Sequence, residues 1–346
     1  MTLMQKEIFE QPKALATIKK TNESTIKALC TEIAKRDIRY CYFAARGTSD
    51  HASIYTQYLL GTYVGVPSAL ATPSVITAYD GKLCLKDSIV FGVSQSGKAA
   101  DALAVMERGK KCGAITVAVT NDEASPMAKA ADYHLFCNAG PEKSVAATKT
   151  FTAQMYVLAL LVAEWSKNEE LSDALEAVPG TLNEFIDTLS EKIDSIITRY
   201  RFMTEGFTLG RGYNYPIALE NALKLQETNY VKMKGAAVSD FHHGPFAQVE
   251  ANTIAILYAD KGPVYKDAVE MLYKLENAGA EVLLISDDPV LCEGRELSIK
   301  MPNLGTDAVS VFFNAVFAQL FACKLAALKG RNPDEPRNLK KVTITK

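Results

Sequence analysis

One interval governs this sequence. The segments FAARGTSDHA and TLGRGYNYPIA each carry a strand-length apolar run, then Arg-Gly, then a helical pattern. Their glycines, Gly47 and Gly212, lie about 165 residues apart, and Ile89-Val90-Phe91 stands at the same distance from Ile254-Ala255-Ile256. Later strand candidates keep that spacing to within about two residues, which chance does not produce over four strands. The chain therefore reads as one unit used twice. In the first copy the apolar runs are 38–45, 68–72, 88–94, 114–120 and 133–138; in the second they are 207–210, 233–239, 253–259, 281–286 and 297–301. Longer helical patterns separate them, as βαβ units and a parallel sheet require. The expected fold is α/β: two tandem doubly wound parallel sheets, flavodoxin-like, with helices on both faces. The expected organisation is a helical segment over 1–36, a first domain over 37–166, a helical connector over 167–200, a second domain over 201–330 and a tail over 331–346.

Composition narrows the function. At 346 residues and 48% apolar content, the chain can fill two cores. The formal net charge is −2, and no basic stripe marks a nucleic-acid surface. No apolar run reads as long enough for a membrane span, and the polar start MTLMQKEIFEQPKAL has no signal core, so a cytoplasmic protein is expected. Seven scattered cysteines without a C-x-x-C pair read as reduced thiols rather than metal ligands.

Several segments gather chemistry where ligands bind doubly wound sheets, beyond the carboxyl ends of strands. The run VFGVSQSGKAADAL ends a strand in Ser94-Gln95-Ser96-Gly97 and starts a helix at once. Hydroxyl and amide donors beside a helix N-terminus suit an anion, although a turn with a serine N-cap would look the same. Gly47, Thr48 and Ser49 follow the first strand at the same end and add hydroxyls, which favours a polar site. No P-loop is present, so a small phosphorylated metabolite fits better than a nucleotide. After the fifth strand, Ser144 to Phe151 reads SVAATKTF: small residues that permit close backbone approach to a ligand or to another helix. In PIALENALKLQETNY, Glu220, Lys224 and Glu227 share a helix face, which suits either a solvent-exposed ion pair or a general base. His242 and His243 precede Gly244-Pro245, a loop able to aim an imidazole. Lys340 and Lys341 close the tail PRNLKKVTITK.

Together these segments resemble the sugar isomerase (SIS) domain family, and within it the isomerase half of the glutamine–fructose-6-phosphate aminotransferases. The likeness runs from Glu7 to the C-terminus and rests on GTS-x-HA, SQSG, VAATK-T, LGRG-x-x-YPIALE-x-ALKL-x-E, HGP and PRNL-x-K. It implies that Ser49, Ser94, Gln95 and Ser96 hold the phosphate and sugar hydroxyls, with Gly47, Thr48, Val145, Ala147 and Lys340 lining the substrate. Glu227 matches the residue that moves a proton between C1 and C2, with Glu220 and Lys224 as its neighbours. His243 matches the residue that opens the sugar ring, reaching across a homodimer. Lys341 matches a tail lysine that contacts the open-chain sugar.

The departures from that pattern shape the expectation. No glutaminase domain precedes the first unit, so glutamine is not the expected source of ammonia. Ala99 lacks a hydroxyl, Lys98 replaces an acid and Ala147 replaces a serine; EKSVAATKTF is more similar to stand-alone deaminases and deglycases. The resemblance thus implies an amino sugar 6-phosphate isomerase/deaminase, taking glucosamine 6-phosphate to fructose 6-phosphate and ammonia, without metal or organic cofactor. A fructosamine 6-phosphate deglycase and a non-catalytic phosphosugar sensor are the alternatives.

Overall fold

All ten expected strands form in the computed structural model, which describes residues 1–341; the end of the expected tail, 342–346, lies outside the described residues. Two helices, α1 (Leu3–Phe9) and α2 (Gln11–Ile33), come first. The first copy runs β1 (Tyr40–Ala44), α3 (Thr48–Leu59), β2 (Ser68–Leu70), α4 (Ser74–Thr77), β3 (Ser88–Val93), α5 (Ala100–Lys111), β4 (Ile115–Thr120), α6 (Pro126–Ala130), β5 (Tyr133–Phe136) and α7 (Lys149–Ser166). The long helix α8 (Glu169–Ile196) follows. The second copy runs β6 (Glu205–Gly210), α9 (Asn214–Asn229), β7 (Lys232–Ala237), α10 (Val238–Phe241), β8 (Ile254–Tyr258), α11 (Tyr265–Asn277), β9 (Glu281–Ser286), α12 (Pro289–Cys292), β10 (Ser298–Lys300) and α13 (Asp307–Leu328).

Each sheet is parallel throughout. The orders are β2-β1-β3-β4-β5 and β10-β9-β8-β6-β7, which are the same order once the second copy is counted from β6. Topology thus repeats along with sequence spacing, the signature of a duplication. In β3 and β4 every residue is buried, because helices cover both faces. Strand order reverses direction between β1 and β3, and again between β6 and β8, which opens a crevice at those carboxyl ends.

The contacts divide the chain into two compact units. One holds the first sheet and comprises 13–142, 149–175 and, of the described tail, 340–341; the other holds the second sheet and comprises 1–12, 143–148 and 176–339. Contrary to the sequence expectation, one apolar run does reach the length of a membrane span. Helix α13 spans 22 residues at a mean hydropathy of 1.8, long and apolar enough to cross a membrane, yet 83% of that window is buried inside the protein. It is apolar all round because it is a core helix, packed against α9.

Candidate active site

Helix α5 starts at Ala100 with Ala99 at its N-cap, and no side chain caps it. The first N–H groups of this helix therefore lie beside three loop residues, Ser94, Gln95 and Ser96, whose side chains are half-buried. The Ser94 Oγ accepts the Gly97 N–H at 3.2 Å, which orients the hydroxyl and leaves its proton to donate. Gly97 sits at φ +61°, and a Cβ there would meet the Ser125 Oγ at 2.2 Å, so only glycine closes this turn. On the neighbouring strand end, Ser49 lies in the first turn of α3, 8% exposed, behind Gly47 at φ 55°. Thr48 opens that helix, which has no side-chain cap either.

Two buried glutamates that the sequence reasoning passed over organise the segment between β5 and α7. The Glu7 carboxylate accepts from the Lys143 and Ser144 N–H groups and from the Ser144 hydroxyl, which bends the loop carrying Val145 and Ala147. Val145 N–H donates to the Asp334 carbonyl of the tail at 3.2 Å. In the other unit, the Glu142 carboxylate accepts from the Thr150 N–H at 3.1 Å and hydroxyl at 2.8 Å, and from the Lys341 ammonium at 2.6 Å. Lys341 thus has a fixed partner, whereas Lys340 is exposed. Glutamate next to a small-residue run was the available signal for Glu142; nothing local marks Glu7.

Helix α9 is buried on most of its surface and held tightly. Gly235 of β7 lets it approach: a Cβ there would lie 2.8 Å from the Ala218 carbonyl oxygen and the Leu219 Cα. The Thr208 hydroxyl donates to the Ala218 carbonyl at 2.6 Å, the Asn221 amide to the Tyr258 hydroxyl at 2.7 Å, and the Asn229 amide to the Ala322 carbonyl at 2.8 Å. On this anchored helix the Lys224 ammonium lies 3.3 Å from Glu220 and 2.6 Å from Glu227. The solvent-exposed alternative is ruled out: Lys224 and Glu220 have no exposed side-chain surface, and only Glu227 keeps 21%. Burial by itself would depress the lysine pKa, but the charges of Glu220 and Glu227 outweigh it, and the pKa is raised. The two glutamates therefore favour the charged form of Lys224, and of the two carboxylates Glu227 is the one that keeps exposed surface.

His243 stands exposed on the loop after α10, whose Phe241 anchors that turn in the core. The tail is pinned to the end of α9. The Tyr230 ring lies under the Arg331 and Arg337 guanidinium groups, at 4.7 and 4.0 Å, and its hydroxyl accepts the Arg337 N–H at 3.0 Å. Among the described residues no group of three or more His, Cys, Asp or Glu side chains is placed to hold a metal ion. A cavity of about 680 Å³ opens at the amino ends of β6 to β9, lined by Arg199, Lys232 and Glu250 among others, and touches none of the candidate residues.

The SIS domain family matches residues 36–164 and 206–329. Over 99% of its length the chain is 35% identical to isomerizing glutamine–fructose-6-phosphate aminotransferase of Aquifex aeolicus and 34% identical to that of Thermococcus kodakarensis. It spans 57% and 58% of those proteins, a little over half their length. It superposes on the C-terminal domain of glucosamine-fructose-6-phosphate aminotransferase from Francisella tularensis with a TM-score of 0.86 at 25% identity, over 97% of this chain and 98% of that one. A glucosamine-6-phosphate deaminase from Thermotoga maritima shares the fold, with a TM-score of 0.80 at 22% identity, over 99% and 100% of the two chains. Two copies of one parallel sheet, a serine loop at the first crevice and these matches over nearly all of the chain place it in the SIS domain family, homologous to the isomerase part of the aminotransferases.

Proposed function

We propose that the chain is a phosphosugar isomerase that converts an amino sugar 6-phosphate into a ketose 6-phosphate and ammonia. The observation that carries the reading is the buried Glu220–Lys224–Glu227 group, in which one carboxylate is left accessible beside a fixed positive charge. The relatives' names support the substrate class, since fructose 6-phosphate and glucosamine 6-phosphate are the two ends of this chemistry.

The serine loop and Ser49 hold the phosphoryl group. His243, supplied by a neighbouring subunit of a homodimer, assists opening of the ring. Glu227 takes the proton from C2 of the open-chain aldehyde, which gives a C1–C2 enol bearing the amine at C2. The same carboxylate returns the proton to C1, leaving C1 as a primary alcohol and C2 as an imine. Water adds at C2 and ammonia leaves, giving the ketose. One water is consumed per ammonia, and no electrons are exchanged. Lys224 and Lys341 stabilise negative charge as it develops on oxygen.

The test is a product assay on glucosamine 6-phosphate, galactosamine 6-phosphate and a fructosamine 6-phosphate. Ammonia release with appearance of a ketose phosphate supports the deaminase. Amine release confined to the fructosamine substrate replaces it with a deglycase, and turnover of none of the three leaves a binding protein. In the active case, Glu227→Gln lowers kcat by about a thousandfold or more while sugar phosphate binding persists.

A further inference from the structure

The donors of the serine loop are neutral, whereas a phosphoryl dianion is not. Of the two cationic side chains in the loops that follow β1 and β3, Lys98 is exposed, and Arg46 is oriented. Ala44 of β1 pairs in register with Gly92 of β3. Arg46 and Ser94 each stand two residues further on, at the crevice where strand order reverses, with the strands about 4.8 Å apart. The Arg46 Nε lies 3.0 Å from the Asp101 carboxylate, in the first turn of α5. Asp101 is itself fixed, its other oxygen accepting the Ala102 N–H at 2.9 Å. A guanidinium gripped through Nε keeps both outer nitrogens, the fork that matches two phosphoryl oxygens. Half of the Arg46 side chain is exposed, so the fork is accessible.

The second copy supplies an internal comparison. There Arg211 also pairs with an aspartate in the first turn of the helix after the third strand, Asp267, but through the outer nitrogen Nη1 at 2.5 Å. Its fork is engaged by that aspartate. The residues after β8 are Ala259, Asp260 and Lys261, with a buried carboxylate where the first copy has Gln95. The clamp is thus common to both copies, while an open fork beside hydroxyl donors belongs to the first alone.

We propose that Arg46 is an anion anchor of the serine loop, binding the phosphoryl group of the substrate through its outer guanidinium nitrogens, with Asp101 as the residue that positions it. The assignment rests on the phosphosugar reading of the site. It is tested by calorimetric titration of inorganic phosphate and of glucitol 6-phosphate, a sugar phosphate with no carbonyl to react. Arg46→Gln weakens both by about 10- to 100-fold and flattens the dependence of affinity on salt. Arg46→Lys retains the charge without the fork and falls between; it serves if the glutamine variant does not fold. Asp101→Asn keeps an oxygen for the Nε contact but removes a competing negative charge, and tightens binding by roughly twofold to fivefold. Binding by a folded Arg46→Gln or Arg46→Lys protein within twofold of wild type overturns the assignment. So does an Asp101→Asn protein that loses as much affinity as Arg46→Gln, because the arginine is then only a clamp. Wild type that turns over an amino sugar phosphate while Arg46→Gln binds normally defeats this inference and spares the reaction. Arg46-dependent phosphate binding without turnover of any substrate defeats the reaction and spares the anchor.

Discussion

The ammonium of Lys341 lies 2.6 Å from the carboxylate of Glu142, across 199 residues of sequence. The glutamate side chain has no exposed surface and the lysine keeps 24%. An acid buried at the head of α7 therefore fixes where the tail lysine can go, and the same acid is braced by Thr150.

Replacing Glu142 by glutamine keeps the size of the side chain and removes the charge that Lys341 answers. A charge-assisted hydrogen bond is about twice as strong as a neutral one, so kcat/KM falls by about tenfold or more. Thermal stability moves less, because the two Thr150 contacts survive. Steady-state kinetics beside a melting curve separates the two effects. A melting loss with unchanged kinetics would make Glu142 a packing residue only.

Lys224 is the costliest residue in α9 to lose. Lys224→Met leaves Glu220 buried without its counter-charge, and breaking such a pair costs about 3–5 kcal/mol. Urea unfolding measures it. Adding Glu220→Gln to the methionine variant recovers part of the loss, since the stranded charge is gone. Equal stability of all three proteins would mean that the ion group carries no structural energy.

Asp260, at the end of β8, sets a dependence of stability on pH. Burial lifts its carboxyl to about 7, and Asp287 adds to that, while hydrogen bonds from Asn214 and Asn314 act the other way. Its Oδ2 accepts from both amides, at 2.9 and 2.6 Å, and Oδ1 is buried. The folded value lies above the unfolded value of about 3.9, so the native state binds the extra proton between them. The stability from this group is fully present below about pH 4 and is lost as pH rises towards about 7. Asp260→Asn mimics the protonated form, so its melting temperature exceeds that of wild type at about pH 8 and approaches it at about pH 5. Parallel pH profiles for the two proteins would show that Asp260 is ionised throughout.

Tyr230 ends α9 at φ 54°, a left-handed conformation unusual for tyrosine, three residues beyond Glu227. Its ring contacts with Arg331 and Arg337 keep it there and hold the tail. Tyr230→Ala frees that tail, so trypsin cuts after Arg337 roughly tenfold faster and kcat drops with Lys341 no longer placed. Tyr230→Phe keeps the ring and loses only the hydroxyl contact with Arg337, and stays near wild type. Equal cleavage rates in the alanine variant and wild type would show that the tail is held elsewhere.

The sequence by itself determined the strands, their parallel arrangement and the duplication, because each depends on local patterns. Val90-Phe91 and Val117-Ala118 lie in predominantly apolar runs, and such runs become strands covered on both faces wherever they sit. Ser94, Glu227 and Lys341 stood out as candidates through motifs of a few residues. Tertiary structure alone decided which charges are buried and who answers them. Glu220 and Lys224 have a spacing that suits a solvated helix face equally well, and the approach of β7 and α13 is what removes water from them. Glu7 reaching Ser144, Glu142 reaching Lys341 and Arg46 turning its Nε to Asp101 join residues distant in sequence, and short patterns carry no record of such pairings. Burial and the partner it imposes are properties of the packed chain, and for ionisable groups they decide the chemistry.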